Sequence, residues 1–567
     1  MGIFIFTHLS KSITQEEWKN VYEESLILVD KFNFCTNVKK SINNIEVICL
    51  EKTKDTILDK RWIIFKNNNR HGWITIGDLD SRRTAEDQYM LQNHVGEYGY
   101  DKDAGDPLLS KLCEISKISD KDEKKYNDQI CTIFGNKTQG EPYHLGILAI
   151  ACLLESRLKG KVFTEGDITR GQVAKAVEIA NDFLKKPIDI PDRCDLKKFY
   201  ERINKLDITN IQKIHLFISY YLGKKDKEFG DFVSHNFDEV TIHGYFKDVF
   251  LNNYYGTSYC TDSLKLYFTI SNSIEKLCEL INFSEENKDK TKENCLKFIK
   301  EILDSKLHIK EKDCYDMLTI DQDDTMPYSI ATLMMHFMFN SARNKKIDLF
   351  IPIEEIEAQL CSGLNKYIST EDIKSYISSY IENEKNNEKE KEKIIYKKDM
   401  NAEEMKNAVS LDACDTFKNL MDIKRKEYTD IHQKYDITDA DDLVYYEKGN
   451  SIYTEIEICL KKLYLFCTQE INSPDHDKLT QLNTKEKCKY IAQHNTYFYI
   501  TDLDYKNIFS NIKNEKYEFI RYYSLLMVKL NSDMISCCVK ALLINDDLWD
   551  YIADQSKGLS YKDFKKE

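Results

Sequence analysis

The densest run of residues able to do chemistry lies between His71 and His94, where Asp78, Asp80, Arg82, Arg83, Glu86 and Asp87 crowd into one short stretch. Asp78 and Asp80 stand one residue apart, so their carboxylates could share a divalent cation, with Arg82 and Arg83 facing an anionic substrate. His71, Glu86, Asp87 and His94 complete the acid–base candidates. Such a set would perform metal-assisted hydrolysis or group transfer on a phosphate-bearing or glycosyl substrate. A plainer reading makes the same residues scaffolding. A strand ends near Ile76, Gly77 turns the chain, Thr84 with Asp87 caps the next helix, and the charges form surface ion pairs.

Two further groups are weaker. Gly135, Lys137, Thr138 and Gly140 resemble a phosphate-binding loop, but Asn136 stands where a Walker A loop needs its second glycine and no clear strand leads in. Nucleotide binding is excluded there, which leaves Glu141 and His144 as an acid–base pair. Farther on, Glu165, Asp167 and Arg170 precede Asp192, Arg193, Cys194 and Asp195. Arg193 could lower the pKa of the Cys194 thiol, and a nucleophilic pair would need His144 or His215 to meet it. Asp321, Asp323 and Asp324 imitate a calcium loop, yet Met326 replaces the required glycine and Thr332 the required glutamate, so an EF-hand is excluded.

The elements that must position these groups follow from glycine content and periodicity. Sixteen of the 19 glycines fall at or before Gly256, and only Gly363, Gly449 and Gly558 lie beyond. The first part therefore has turns, and the rest reads as helix after helix. Ile3–Phe6, Ile45–Leu50, Arg61–Phe65 and Trp73–Ile76 read as strands. Between the first two, Thr14 and Glu17 form a capping box, stapled by Ile13 and Trp18, that starts a helix with Trp18, Val21, Tyr22, Leu26 and Val29 inward. From about residue 84 helices are expected to take over. Leu145–Leu154 is apolar on every side and implies a buried helix. Thr169 with Gln172 and Ser369 with Asp372 mark two more helix starts.

The fold class predicted is mainly α and multidomain. An α+β N-terminal module spans 1–83, with one helix on a short, mainly antiparallel sheet. A helical domain with glycine-containing loops covers 84–260 and a second helical domain 261–381. Residues 382–399 are a charged linker or helix extension, and 400–567 form a C-terminal helical bundle. Cys414, Phe417, Met421, Lys424 and Tyr428 would be one stripe of that bundle, and Ile452, Ile456, Cys459, Leu463 and Phe466 another.

Bulk composition limits function. A net charge of −14, with 70 lysines and only 11 arginines, opposes a phosphate-reading surface, so nucleic acid is not an expected partner. No apolar run approaches the length of a membrane span, and residues 1–8 are too short and uncharged for a secretory leader. The 17 cysteines show no Cys-x-x-Cys spacing, which predicts buried free thiols in a cytoplasmic protein. No motif specifies an activity. The expectation is an intracellular protein-binding or regulatory protein, of an immunity or antiviral-defence type, acting through a helical surface. The alternative is a metal-assisted hydrolase or transferase using Asp78 to Asp87. No cofactor is expected beyond a divalent metal that Asp78 and Asp80 could hold.

Overall fold

Thr14 and Glu17 start the first helix, Gln15–Lys31, as their spacing predicts. The Thr14 N–H donates to Glu17 Oε2 at 2.9 Å, and the Glu17 N–H donates to Thr14 Oγ1 at 3.2 Å. Ile13, Trp18, Val21, Tyr22, Leu28 and Val29 are buried, whereas Leu26 is half-buried. The computed structural model describes residues 3–53, 56–57, 71–115, 119–251, 258–285, 288–309, 347, 349–395, 436–437, 439–470, 479, 481–514 and 518–561. Arg61–Phe65, the Asp321–Asp324 run and the Cys414–Tyr428 stripe lie outside them.

The protein is mainly α-helical, with its larger strands in the first 166 residues. Backbone contacts divide it into two units, each assembled from segments distant in sequence. The first holds residues 1–28, 92–140 and 144–421, and the second holds 29–91, 141–143 and 422–567.

In the first unit, Ile5–Ser10 is the central strand of a three-stranded antiparallel sheet, between Ile130–Ile133 and Val162–Gly166. The expected takeover by helices at residue 84 is therefore corrected: strands recur at Thr84–Leu91, Ile130–Ile133 and Val162–Gly166. Each is short or polar, so its pairing comes from a neighbour rather than from its own pattern. Helix Tyr143–Arg157 carries the apolar run, and Ile147 to Leu154 are at most 1% exposed. The Thr169–Gln172 capping box forms and opens helix Arg170–Asn181. Phe163 joins Phe199, Ile203, Phe217 and Phe229 in a core that runs on through Ile302, Leu360 and Ile377. Ser369 Oγ accepts from the Asp372 N–H at 3.2 Å, and the helix begun there, Thr370–Ile395, continues through the charged segment that could have been a hinge.

In the second unit, Phe34–Ile42 and Ile45–Lys52 form a hairpin around Asn43 and Asn44, both at positive φ. His71–Asp78 pairs with Thr84–Leu91, and Ile500–Thr501 adds a short parallel strand beside Ile45–Lys52. The helix cap expected at Thr84 and Asp87 is thus corrected to a strand. Thr84 stands opposite Gly77, and Met90 opposite Trp73. Gly77 permits the close approach, because a Cβ there would lie 2.4 Å from the Arg83 carbonyl oxygen. Helices between Thr454 and Gln555 pack Leu460, Ile491, Ile508, Leu525 and Leu542 with Val47 and Cys49 of the sheet.

The outer edge of Val162–Gly166 exposes backbone groups that no strand among the described residues pairs, and side chains take them instead. Glu155 Oε1 accepts from the Thr164 N–H at 2.8 Å, Arg193 Nη1 donates to the Thr164 carbonyl, and Arg202 Nη2 donates to the Val162 carbonyl at 2.9 Å. Arg202 also grips Asp106 with two bonds of 2.8 and 2.9 Å, and its side chain is 9% exposed. Arg202→Leu strands Asp106 and the Val162 carbonyl together, so it should cost about 3 kcal/mol of unfolding free energy in urea denaturation. Arg202→Lys should recover only part of that, because an ammonium cannot form the fork. A loss under about 0.5 kcal/mol, the level of an ordinary surface change, would show that Arg202 is dispensable to this edge.

Candidate functional site

The polar run singled out in the sequence is the tip of the His71–Asp78 and Thr84–Leu91 hairpin. Asp78 Oδ1 accepts from the Asp80 N–H at 2.8 Å and from the Ser81 N–H at 3.5 Å, which closes the turn. Arg82 has φ of 52°. Burial pushes the Asp78 carboxyl above its usual range. The backbone hydrogen bonds from Asp80 and Ser81 oppose that rise. Asp80 is exposed, and among the described residues no three His, Cys, Asp or Glu side chains gather as a cation site.

The two arginines are engaged within the second unit. Arg83 Nη2 meets Asp442 Oδ1 at 2.6 Å, with both side chains 11% exposed, and Arg82 Nη1 meets Asp504 Oδ2 at 3.3 Å. The Lys540 ammonium donates to the Arg82 carbonyl, and the Tyr445 hydroxyl donates to the Asp80 carbonyl at 3.0 Å. Asp87 is half-buried, and burial raises its pKa. Glu86 offers its backbone carbonyl to the Tyr143 hydroxyl at 2.9 Å. His71 is exposed at the far end of its strand, where it pairs with Ile57.

Glu141 and His144 have separate surroundings. Burial pushes the Glu141 carboxyl up to about 8; Asp441 and Asp439 add to the rise, and Arg83 and Lys540 oppose it. His144 is fully buried, and its Nδ1 lies 2.7 Å from Thr138 Oγ1. Thr138 also hydrogen-bonds the Ile3 carbonyl. The segment that imitated a phosphate loop thus spends its hydroxyl inside the first unit. Burial lowers the His144 pKa to about 4.

Cys194, Arg170 and Asp195 line a cleft of about 450 Å³ in the first unit, with Lys197, Lys224, Asp226, Glu228 and Tyr221. Its three cations and three carboxylates balance. Burial raises the Cys194 thiol to about 12 despite Arg193 beside it, which corrects the expectation of a lowered pKa: a desolvated thiolate costs more than one guanidinium returns. His215 is buried against the Tyr245 ring, with Asp248 3.9 Å away.

One feature had no signal in the sequence. An open groove of about 260 Å³ in the first unit is lined by Phe237, Ile242, Phe246, Tyr267, Ile270 and Leu280, with His243 and Ser271. An ion pair joins Glu239 to Lys276 at its rim, and Val240 next to Glu239 is 81% exposed. These residues come from three helices between Glu239 and Leu280 and from Phe237 and Ser271 beside them. Only packing brings them together.

Two buried groups give opposite pH dependences. His94 is fully buried, stacks on Trp18 with ring centroids 4.5 Å apart, and has its pKa lowered by burial from 6.5 to about 4. Between those values the unfolded chain binds more protons, so the stability of the neutral ring is complete above pH 6.5 and is lost as pH falls toward 4. His94→Phe keeps a ring on Trp18. Measured by urea unfolding, it should gain about 2 kcal/mol on wild type between pH 7 and pH 4.5; an unchanged difference would mean that His94 is protonated in the fold. For Glu141 the sign is reversed. Its ordinary pKa is 4.5 and its folded value about 8, so the cost of ionising it is absent below pH 4.5, grows as pH rises, and is complete above pH 8. Glu141→Gln should match the wild-type melting temperature near pH 4.5 and exceed it increasingly toward pH 8. A constant offset would show that Glu141 is already ionised at pH 5.

No protein-family model, no curated protein and no solved structure matches this chain.

Proposed function

We propose that this protein acts by binding another protein, and that the groove between Phe237 and Leu280 receives one large apolar side chain of that partner. The observation that carries the reading is the groove itself: an open hollow lined by Phe237, Phe246 and Tyr267 with three aliphatic side chains, and with exposed Val240 next in sequence to the lining residue Glu239. Protein interfaces place an aromatic or aliphatic anchor in such a hollow and surround it with polar groups. A net charge of −14 favours a partner segment that carries lysine or arginine beside its anchor.

The binding reading is preferred to the metal-assisted hydrolase alternative because Asp78 Oδ1 closes a turn and Arg82 and Arg83 are paired with carboxylates. Every cysteine among the described residues is a free thiol, which supports a reducing compartment such as the cytoplasm. No helix among the described residues is long and apolar enough to cross a membrane.

Affinity capture with the full chain, followed by titration of each purified candidate, tests the proposal. Ile242→Asp should weaken binding about tenfold or more, and Val240→Asp should weaken it less, because a rim contact carries less energy than a filled pocket. Tyr497→Asp, at an exposed tyrosine of the second unit, serves as the control. Circular dichroism checks that each variant is folded. A partner that binds folded Ile242→Asp and wild type equally would remove the groove from the interaction.

A further inference from the structure

We propose that Thr132, His8 and Glu165 act as a nucleophilic relay on one face of the three-stranded sheet, and that its substrate is an ester with a flat apolar acyl group. Cross-strand register brings the three residues together. Thr132 of Ile130–Ile133 stands opposite His8 of Ile5–Ser10, and Glu165 of Val162–Gly166 stands opposite Phe6, two residues before His8. All three side chains therefore share one face, where neighbouring positions lie within reach of each other. Thr132 Oγ1 lies 2.8 Å from His8 Nδ1, and His8 Nε2 lies 2.9 Å from Glu165 Oε1. A hydroxyl, an imidazole and a carboxylate in that order are the parts of an activated nucleophile: the attacking group, its general base, and the group that orients the base.

The carboxylate sets the direction of the proton. Burial alone would raise the Glu165 pKa, but hydrogen bonds from His8 and Lys111 hold it below the ordinary value. Lys111 Nζ is paired with Glu165 Oε1 and, at 2.7 Å, with Glu114 Oε1. An ionised carboxylate only accepts, so His8 Nε2 carries the proton that it donates to Glu165. Nδ1 of the neutral ring is then left to accept from the Thr132 hydroxyl. The imidazole lies nearly parallel to the rings of Phe6 and Phe163, each centroid 6.4 Å away, which restrains its rotation. His8 is buried, whereas Thr132 is exposed on the edge strand, where a substrate carbonyl can approach it. Phe4 and Phe6, half-buried and stacked with centroids 5.4 Å apart, continue from the imidazole and offer a surface to a flat apolar acyl group.

In the first step Thr132 Oγ1 bonds to the ester carbonyl carbon while its proton passes to His8 Nδ1. The tetrahedral adduct then breaks its bond to the alcohol oxygen, which takes the proton from Nδ1 and leaves as the alcohol. Water next attacks the carbon of acyl-Thr132 and gives a proton to Nδ1; the Thr132 oxygen departs and recovers that proton. One ester and one water become one acid and one alcohol, and nothing is oxidised or reduced.

The test gives the full chain p-nitrophenyl benzoate, follows release of p-nitrophenolate, and maps peptides by mass spectrometry after an acid quench. Wild type should show a burst followed by slower turnover, with the benzoyl group on Thr132. Thr132→Ser keeps a hydroxyl and should keep the burst. Thr132→Val should abolish it and lower kcat/KM about a hundredfold or more, and His8→Gln should do the same. Glu165→Gln, at a positioning residue, should lower kcat with KM unchanged. Relative to their rates in buffer, p-nitrophenyl benzoate should be accelerated more than p-nitrophenyl acetate, which lacks the ring; equal acceleration would overturn the assignment of the acyl group. Release by wild type no faster than in buffer would overturn the relay, and so would a benzoyl group found only on lysines or a full burst in folded Thr132→Val. Circular dichroism checks folding, and wild type with Thr132→Val decides the matter even where His8→Gln, at a buried position, fails to fold.

Discussion

A short strand with one unpaired edge constrains the first unit. Val162–Gly166 can pair only with Ile5–Ser10, so every second backbone group along its other side needs a donor or acceptor from elsewhere. Arg193 and Arg202 supply two donors and Glu155 the acceptor. Each comes from a different helical segment, so satisfying the edge also fixes where those segments lie. The Arg193 guanidinium sits 5.2 Å from the centre of the Phe163 ring, and Phe163 carries the strand into the helical core. Arg202 fixes Asp106, whose Oδ1 in turn caps the turn at Leu108. Buried ions of this kind contribute more to geometry than to stability, because their desolvation offsets most of their attraction. Removing one member still costs several-fold more than an exposed pair, since the others remain buried and unmatched.

The same logic explains why the most chemically suggestive stretch is structural. A tight hairpin tip concentrates aspartate, serine and arginine because the turn needs side chains that bond the backbone and residues that tolerate positive φ. Asp78 and Arg82 meet those two needs. The charges then have to be neutralised where the hairpin packs within its unit, and Asp442 and Asp504 do so. Density of polar residues in a sequence therefore does not separate a site from a turn. The partners that decide it lie more than 350 positions away.

What the sequence discloses is what depends on near neighbours. The capping boxes at Thr14 and Thr169 and the cap at Ser369 involve residues three apart, and all three form. The all-apolar helix at Leu145–Leu154 and the strand around Trp73–Ile76 follow from composition and alternation. Thr84–Leu91 escapes, because its first four residues carry the types of a helix start and only the strand opposite holds them extended. Segmentation by glycine content follows the order of the chain, whereas the compact units collect residues 29–91 with 422–567. The groove at Phe237 is invisible for the same reason: its apolar residues read as ordinary core, and only the helix packing leaves a hollow among them.

Burial determines which candidate groups keep chemical potential. Cys194 stands beside an arginine yet is held as a thiol, because low polarity around it penalises the anion more than one cation favours it. Glu141 is a carboxyl kept protonated at neutral pH by burial and by Asp441 and Asp439, with Arg83 and Lys540 too weak to reverse them. A cation adjacent in sequence is therefore a poor guide to reactivity in this protein. The better guide is how far the fold takes each group out of water, the first cause of the raised pKa at both Cys194 and Glu141.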